Sequence, residues 1–206
     1  RAERAAEFAR AGRHAAAERL LRDVAGALVR RDAHGPAALT LIALGRLLLD
    51  RGRADTAGDL FSESVAAAEA GRDDGVMIEG RIWQALARTD AGSLSDAESM
   101  CRACLLATGS SPEQQRWTRA VLARVLLSQE RIDEAAQLDL SCPADSGDVS
   151  SGLAAAPLPP LDPVVSACIH ATAVRTLLAA GNVFDAGLRA RALLGIVATS
   201  ADPVVH

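Results

Sequence analysis

Four cysteines, four histidines and 26 acidic residues are the side chains of this 206-residue chain that could support covalent, metal or acid–base chemistry. Cys101-Arg-Ala-Cys104 has the C-x-x-C spacing of zinc and redox sites. It lies inside a helical stretch at packing positions, no second C-x-x-C follows, and Cys142, Cys168 and His170 fall in a loop and a distant helix. Cysteine as a small buried apolar residue is the simpler reading. His14, His34, His170 and His206 are scattered among turns, a helix and the terminus. Asp73-Asp74 and Asp133-Glu134 fall at helix starts or turns, where the helix dipole accounts for them. No G-x-x-x-x-G-K-[ST], G-x-G-x-x-G, H-E-x-x-H or G-x-S-x-G is present. The chain therefore reads as non-catalytic, with no metal site and no cofactor.

What remains is arginine. All 22 basic residues are Arg and none is Lys, which a high-GC genome favouring Arg and Ala codons explains without invoking function. Net charge is −4 and the isoelectric point is near 5.6, so no global field draws the chain to nucleic acid or anionic membrane. Arg19, Arg22, Arg30 and Arg31 form a basic strip without interleaved aromatics, read as a solvated outer face. No apolar run approaches the ~20 residues of a membrane span. The opening RAERAAEFARAG, without Met or an apolar signal core, reads as the interior of a longer chain. Cysteines at irregular spacing fit a reducing cytoplasm better than a secreted disulfide framework.

The elements that would position any site are helical. Half the residues are apolar but only five are aromatic, and 44 are alanine. Val, Ile and Thr form no alternating runs, so strands have little support. Five segments align in register: Gly12–Ala17, Gly52–Ala57, Gly92–Ala97, Glu130–Ala135 and Gly181–Ala186. Their final alanines are 40, 40, 38 and 51 residues apart. Glycine past an apolar helical run suits a left-handed C′ position. Asp55, Ser95 and Asp133 would help begin the next helix. The alanine would sit where two antiparallel helices cross most closely, with Leu21, Phe61, Cys101 and Ala190 one turn later. Ser111-Pro112, Asp162-Pro163 and Gly35-Pro36 would open first helices.

These hairpins, at Leu44-Gly45, Leu48, Gly52, Ala57 and Phe61, and again at Leu122-Ala123, Leu126 and Ala135, resemble the tetratricopeptide repeat (TPR) family. The family's usual period is 34; 38 to 40 here implies about one extra helical turn per pair. Repeats of this long kind are similar to those of large bacterial transcriptional regulators, where such an array receives a signal or a partner. The expected fold is all-α, a right-handed α-α superhelix of about five helix–turn–helix (TPR-like) repeats. It forms a single domain over 1–206, with repeats at about 1–34, 36–71, 76–110, 112–140 and 163–199. The first repeat is truncated, and the third is off-pattern, with Gln84 and Arg88 where Leu is expected. The Pro/Ser/Gly-rich stretch 141–163 breaks the period. Its composition points to disorder, the alternative being that Leu158-Pro159-Pro160-Leu161 folds back into the groove.

The resemblance also implies a concave face lined by first helices, reached by the residue after each helix's small residue: Arg46, Leu86, Arg124 and Arg175. Leu49, Leu127 and Leu178 lie one turn on, and Trp117 stands in a frame that could open to the groove; Trp83 reads as core. Such a groove resembles those that hold a peptide's acidic residues or C-terminal carboxylate, for which the guanidinium fork supplies two parallel hydrogen bonds. Against this stands ordinary pairing of these arginines with Asp50, Asp90 or Glu79. The function expected is a protein- or peptide-binding scaffold or signal-sensing domain of a larger bacterial cytoplasmic regulator, its partner acidic or offering a free C-terminus. The alternative is a structural self-assembly module, a homodimer included, stacking through end repeats at Leu193–Ala198.

Overall fold

A computed structural model of the chain describes residues 2–138, 140 and 163–199. Among them every regular element is a helix. Five hairpins follow one another: α1 (Ala2–Arg10) with α2 (His14–Val29), α3 (His34–Leu49) with α4 (Ala54–Ala70), and α5 (Asp74–Asp90) with α6 (Leu94–Leu106). α7 (Pro112–Ser128) pairs with a five-residue α8 (Ile132–Ala136), and α9 (Pro163–Ala179) with α10 (Val183–Thr199). Each of α1 to α8 packs on the next, and the first helices also pack on one another, α3 on α5, α5 on α7 and α7 on α9. The result is an all-α superhelix of stacked helix–turn–helix units. The proline-rich stretch lies outside the described residues, except that Pro163 opens α9.

The turn inside each hairpin has one geometry. Gly12, Gly52, Gly92 and Gly181 have φ between 71° and 83°. The Gly52 amide bonds Leu49 O at 2.9 Å and the Arg53 amide bonds Leu48 O at 3.0 Å. This is the Schellman pair, which satisfies two carbonyls at the helix end. In the fourth hairpin Glu130 stands at this position with φ 64°, and the same two bonds close, Glu130 to Leu127 and Arg131 to Leu126. A side chain with a Cβ is strained there, by roughly 1 kcal/mol. Glu130→Gly is therefore expected to stabilise the fold by about 1 kcal/mol, raising the thermal midpoint by about 2–4 °C. Thermal unfolding followed by circular dichroism checks it; a lower midpoint would contradict the equivalence of the five turns.

Capping differs from the expectation. Arg53, Ser93 and Arg131 are the N-caps of α4, α6 and α8, and none makes a side-chain cap bond. Asp55 and Asp133 lie inside the first turn, where they meet the helix dipole rather than cap a free amide. Ser95 likewise lies inside the first turn of α6. Side-chain caps do form at three other helix starts: Asp73 accepts from the Val76 amide at 3.0 Å, Ser111 with Gln114 forms a full capping box behind Pro112, and Asn182, in the turn of the fifth hairpin, accepts from the Asp185 amide at 3.3 Å.

The alanines are equivalent. Ala17, Ala57, Ala97 and Ala135 are all 0 % exposed. Twelve residues before each lies a small buried partner on the first helix: Ala5, Gly45, Ala85 and Ala123. At Gly45 an added Cβ would stand 2.5 Å from the Phe61 ring, so the closest approach is filled by the ring of the second helix. Phe61 stacks on Trp83 at 6.0 Å between centroids, and Trp83 meets Trp117 edge-on at 4.8 Å. These three rings run from the second repeat through the third to the fourth.

Neighbouring hairpins are also tied on the outside. Glu18 accepts from Arg22, Arg51 and Arg53 at 2.9–3.2 Å. Eighty residues on, Glu98 accepts from Arg102, Arg131 and Gln129 at 2.7–3.2 Å. The Arg102 hydrogen bond, then those of Arg131 and Gln129, hold the Glu98 carboxyl below its ordinary range against the opposing effect of burial.

Candidate functional site: a cleft of arginines between the first helices

Successive first helices, stacked at the same phase, turn equivalent residues to one side. On that side lies a cleft of about 390 Å³. α3 contributes Arg46, Leu49 and, at its C-cap, Asp50; α5 contributes Trp83, Leu86 and Asp90; α7 contributes Arg124. α9 supplies Val164, Ala167, Cys168, Ala171, Thr172 and Arg175, and α10 adds Leu193 and Val197. Arg46, Arg124 and Arg175 thus converge from three helices onto one volume together with Leu49 and Leu86.

The charges are arranged in two ways. Arg46 lays its guanidinium over the Trp83 ring, 4.9 Å from the centroid, so its charge rests on a π face. Arg124 makes an ion pair with Asp90. Burial pushes the Asp90 carboxyl up, against the charge and hydrogen bond of Arg124 and the charge of Arg175. With both members about 30 % exposed, that pair is modest in strength. Three guanidinium groups face two carboxylates, so the cleft carries an excess of one positive charge. Its remaining walls are mostly apolar, with the Thr172 hydroxyl and the Cys168 thiol among them.

Three of the expected groove residues lie elsewhere. Trp117 is 3 % exposed and belongs to the ring ladder of the core. Leu127 packs half-buried against that core. Leu178 is 51 % exposed but outside the cleft. Conversely, Trp83 is core and cleft wall at once, 5 % exposed beneath Arg46. Val164 and Cys168 lie eleven and seven residues before Arg175, the helical spacing that returns to its face, which is the signal that could have found them; Leu193 and Val197 fall in the stretch expected as an exposed apolar end and turn into the cleft instead.

The cysteines are placed for packing. Cys101 and Cys104 are buried on α6, and burial first, then Cys104 and Glu98, pushes the Cys101 thiol up to about 12. Burial likewise raises Cys104 and Cys168, which leaves thiols rather than the thiolates that ligate or attack. Among the described residues no three His, Cys, Asp or Glu side chains cluster to hold a metal ion. No helix among them is long and apolar enough to cross a membrane. The basic strip Arg19, Arg22, Arg30 and Arg31 is exposed, with Arg22 paired to Glu18.

No protein-family model matches the chain, and no curated protein matches it. Among solved structures it is similar to a variant of a Podosopora anserina putative kinesin light chain with nearly identical TPR-like repeats. The TM-score is 0.63 at 17 % identity, covering 96 % of this chain and 92 % of that one. The fold is TPR-like. At that identity the likeness extends to architecture, and the site stands on its own geometry.

Proposed function

We propose that the chain is a non-catalytic binding scaffold, and that its cleft receives an acidic peptide segment or a free C-terminal carboxylate from a partner protein. The observation that carries this reading is the convergence of Arg46, Arg124 and Arg175 on one apolar-walled volume. A carboxylate entering there meets guanidinium forks able to bond it bidentately. Leu49, Leu86, Leu193 and Val197 offer apolar contact to the residues behind it. Asp90 pairs with Arg124 within the cleft; an incoming carboxylate takes its place, and the raised Asp90 carboxyl accepts a proton more readily than an ordinary aspartate. The long repeat and the Arg- and Ala-rich composition support placing this scaffold in a larger bacterial cytoplasmic regulator, as its signal-receiving part.

Dye-labelled peptides ending in two acidic residues, made with free and with amidated C-termini, test the reading by fluorescence anisotropy. Loss of one charge-assisted hydrogen-bonded pair is worth about 1.5–3 kcal/mol, so the free acid is expected to bind at least about tenfold tighter. Equal affinity for both forms would assign the cleft to acidic side chains rather than to the terminal carboxylate, and binding of neither would refute the reading.

A further inference from the structure

We propose that the outer face of α10 is a homodimer interface, on which a second copy of this chain packs its own α10 antiparallel. The proposal is independent of the cleft.

Leu193 and Val197 turn into the cleft, so the apolar surface left to solvent is not the Leu193–Ala198 end as a whole. It is a face made by Val183, Phe184, Leu188 and Leu194, exposed by 69 %, 78 %, 50 % and 66 %. Gly187 and Arg191 lie between them and are also exposed. At 100° per residue these six fill one continuous arc of about 140°. A side chain at Gly187 would meet nothing within 4 Å, so that face is open to close approach by another helix.

The repeat itself shows what is unusual. In the register of the buried alanines, Phe184 corresponds to Ala15, Asp55 and Ser95, and Leu188 to Arg19, Asp59 and Ser99. Every one of those residues is exposed, and most are polar or charged. Leu194 corresponds to Ala25, Val65 and Leu105, which the next hairpin covers at least in part. A further repeat stacked on α10 would therefore cover Leu194 and leave Phe184 and Leu188 in water. An occupant must span both sides of the helix.

A second copy satisfies this, and its α10 fits better than its other end. The outer residues of α1 include Arg4, Glu7 and Arg10, all exposed, so head-to-tail contact would press charges onto an apolar face. An antiparallel α10 pair with its two-fold axis near Leu188 instead places Val183 opposite Leu194, and Arg191 beside the start of the other helix, where Asp185 is exposed. Face and charge then complement themselves, as an isologous contact requires. At typical side-chain areas the four apolar residues offer roughly 500 Å² per chain, about 1,000 Å² for the pair, the lower bound of a specific interface.

Sedimentation equilibrium of the whole chain from about 1 to 200 µM tests this. A reversible monomer–dimer equilibrium is expected, abolished in Phe184→Asp/Leu188→Glu with helicity and thermal midpoint retained. Leu106→Glu, a control at the exposed end of α6 (85 % exposed), should leave the dimer intact. A wild-type chain that stays monomeric throughout, a double variant that still dimerises, or a dimer lost in the α6 control would each overturn the proposal.

Discussion

Phe61→Ala is expected to destabilise the fold by about 3–5 kcal/mol. Phe61 is 0 % exposed and fills the crossing of α3 and α4 against Gly45 while stacking on Trp83 of the next hairpin. Its removal opens a cavity both within one repeat and between two. At about 2–4 °C per kcal/mol the thermal midpoint should fall by roughly 10 °C. Cys101→Ala, at the equivalent place one repeat on, removes only a sulfur and should cost far less. The Gly45 contact gives a sharper check through a double-mutant cycle. Gly45→Ala drives a methyl into the ring and should cost about 1–3 kcal/mol in the wild type. In the Phe61→Ala background the clash is gone, and the same change should stabilise by about 1 kcal/mol through helix propensity. A Gly45→Ala effect of the same sign in both backgrounds would mean that the ring does not occupy that crossing.

The second large effect falls on binding. Arg124→Glu/Arg175→Glu should weaken the free-acid peptide by at least about 100-fold, since two charge-assisted contacts become repulsions. Stability should hardly move. Arg175 is exposed, and the Arg124–Asp90 pair is partly solvated, contributing about 1 kcal/mol or less. Because Arg124→Glu also sets a carboxylate against Asp90, Arg124→Gln separates loss of the cation from that repulsion. Reversing Arg19 and Arg30 on the outer face, exposed and equally cationic, should leave affinity unchanged. An equal loss there would point to a diffuse field rather than a cleft.

The hairpins were legible because one turn chemistry recurs. A left-handed residue, then an alanine five positions later, fixes both the turn and the crossing, and Glu130 shows that the backbone keeps this turn even without glycine. The caps were misjudged because Asp55 and Asp133 have the right side chains two residues too late. Of the cleft, the residue after each small first-helix position was readable: Arg46, Leu86, Arg124 and Arg175 keep one phase. The residue three further on was not. Leu49 joins the cleft, whereas Leu127 is drawn into the core and Leu178 lies at the exposed end of α9. A helix face is about 60° wide at that offset, so small changes in how each helix lies decide which way it turns. The α10 wall was not legible because Leu193–Ala198 reads in the sequence as an apolar end, and only the packing of α10 on α9 turns Leu193 and Val197 into the cleft.

The location of a bound peptide tests the account most directly. A free-acid peptide carrying a photoreactive benzophenone three residues from its C-terminus would be cross-linked to the chain, and the attachment sites found by mass spectrometry. Adducts at Leu49, Leu86, Leu193 or their cleft neighbours are the predicted result. Adducts on the outer faces of α2, α4 or α6, with the cleft unlabelled, would contradict it.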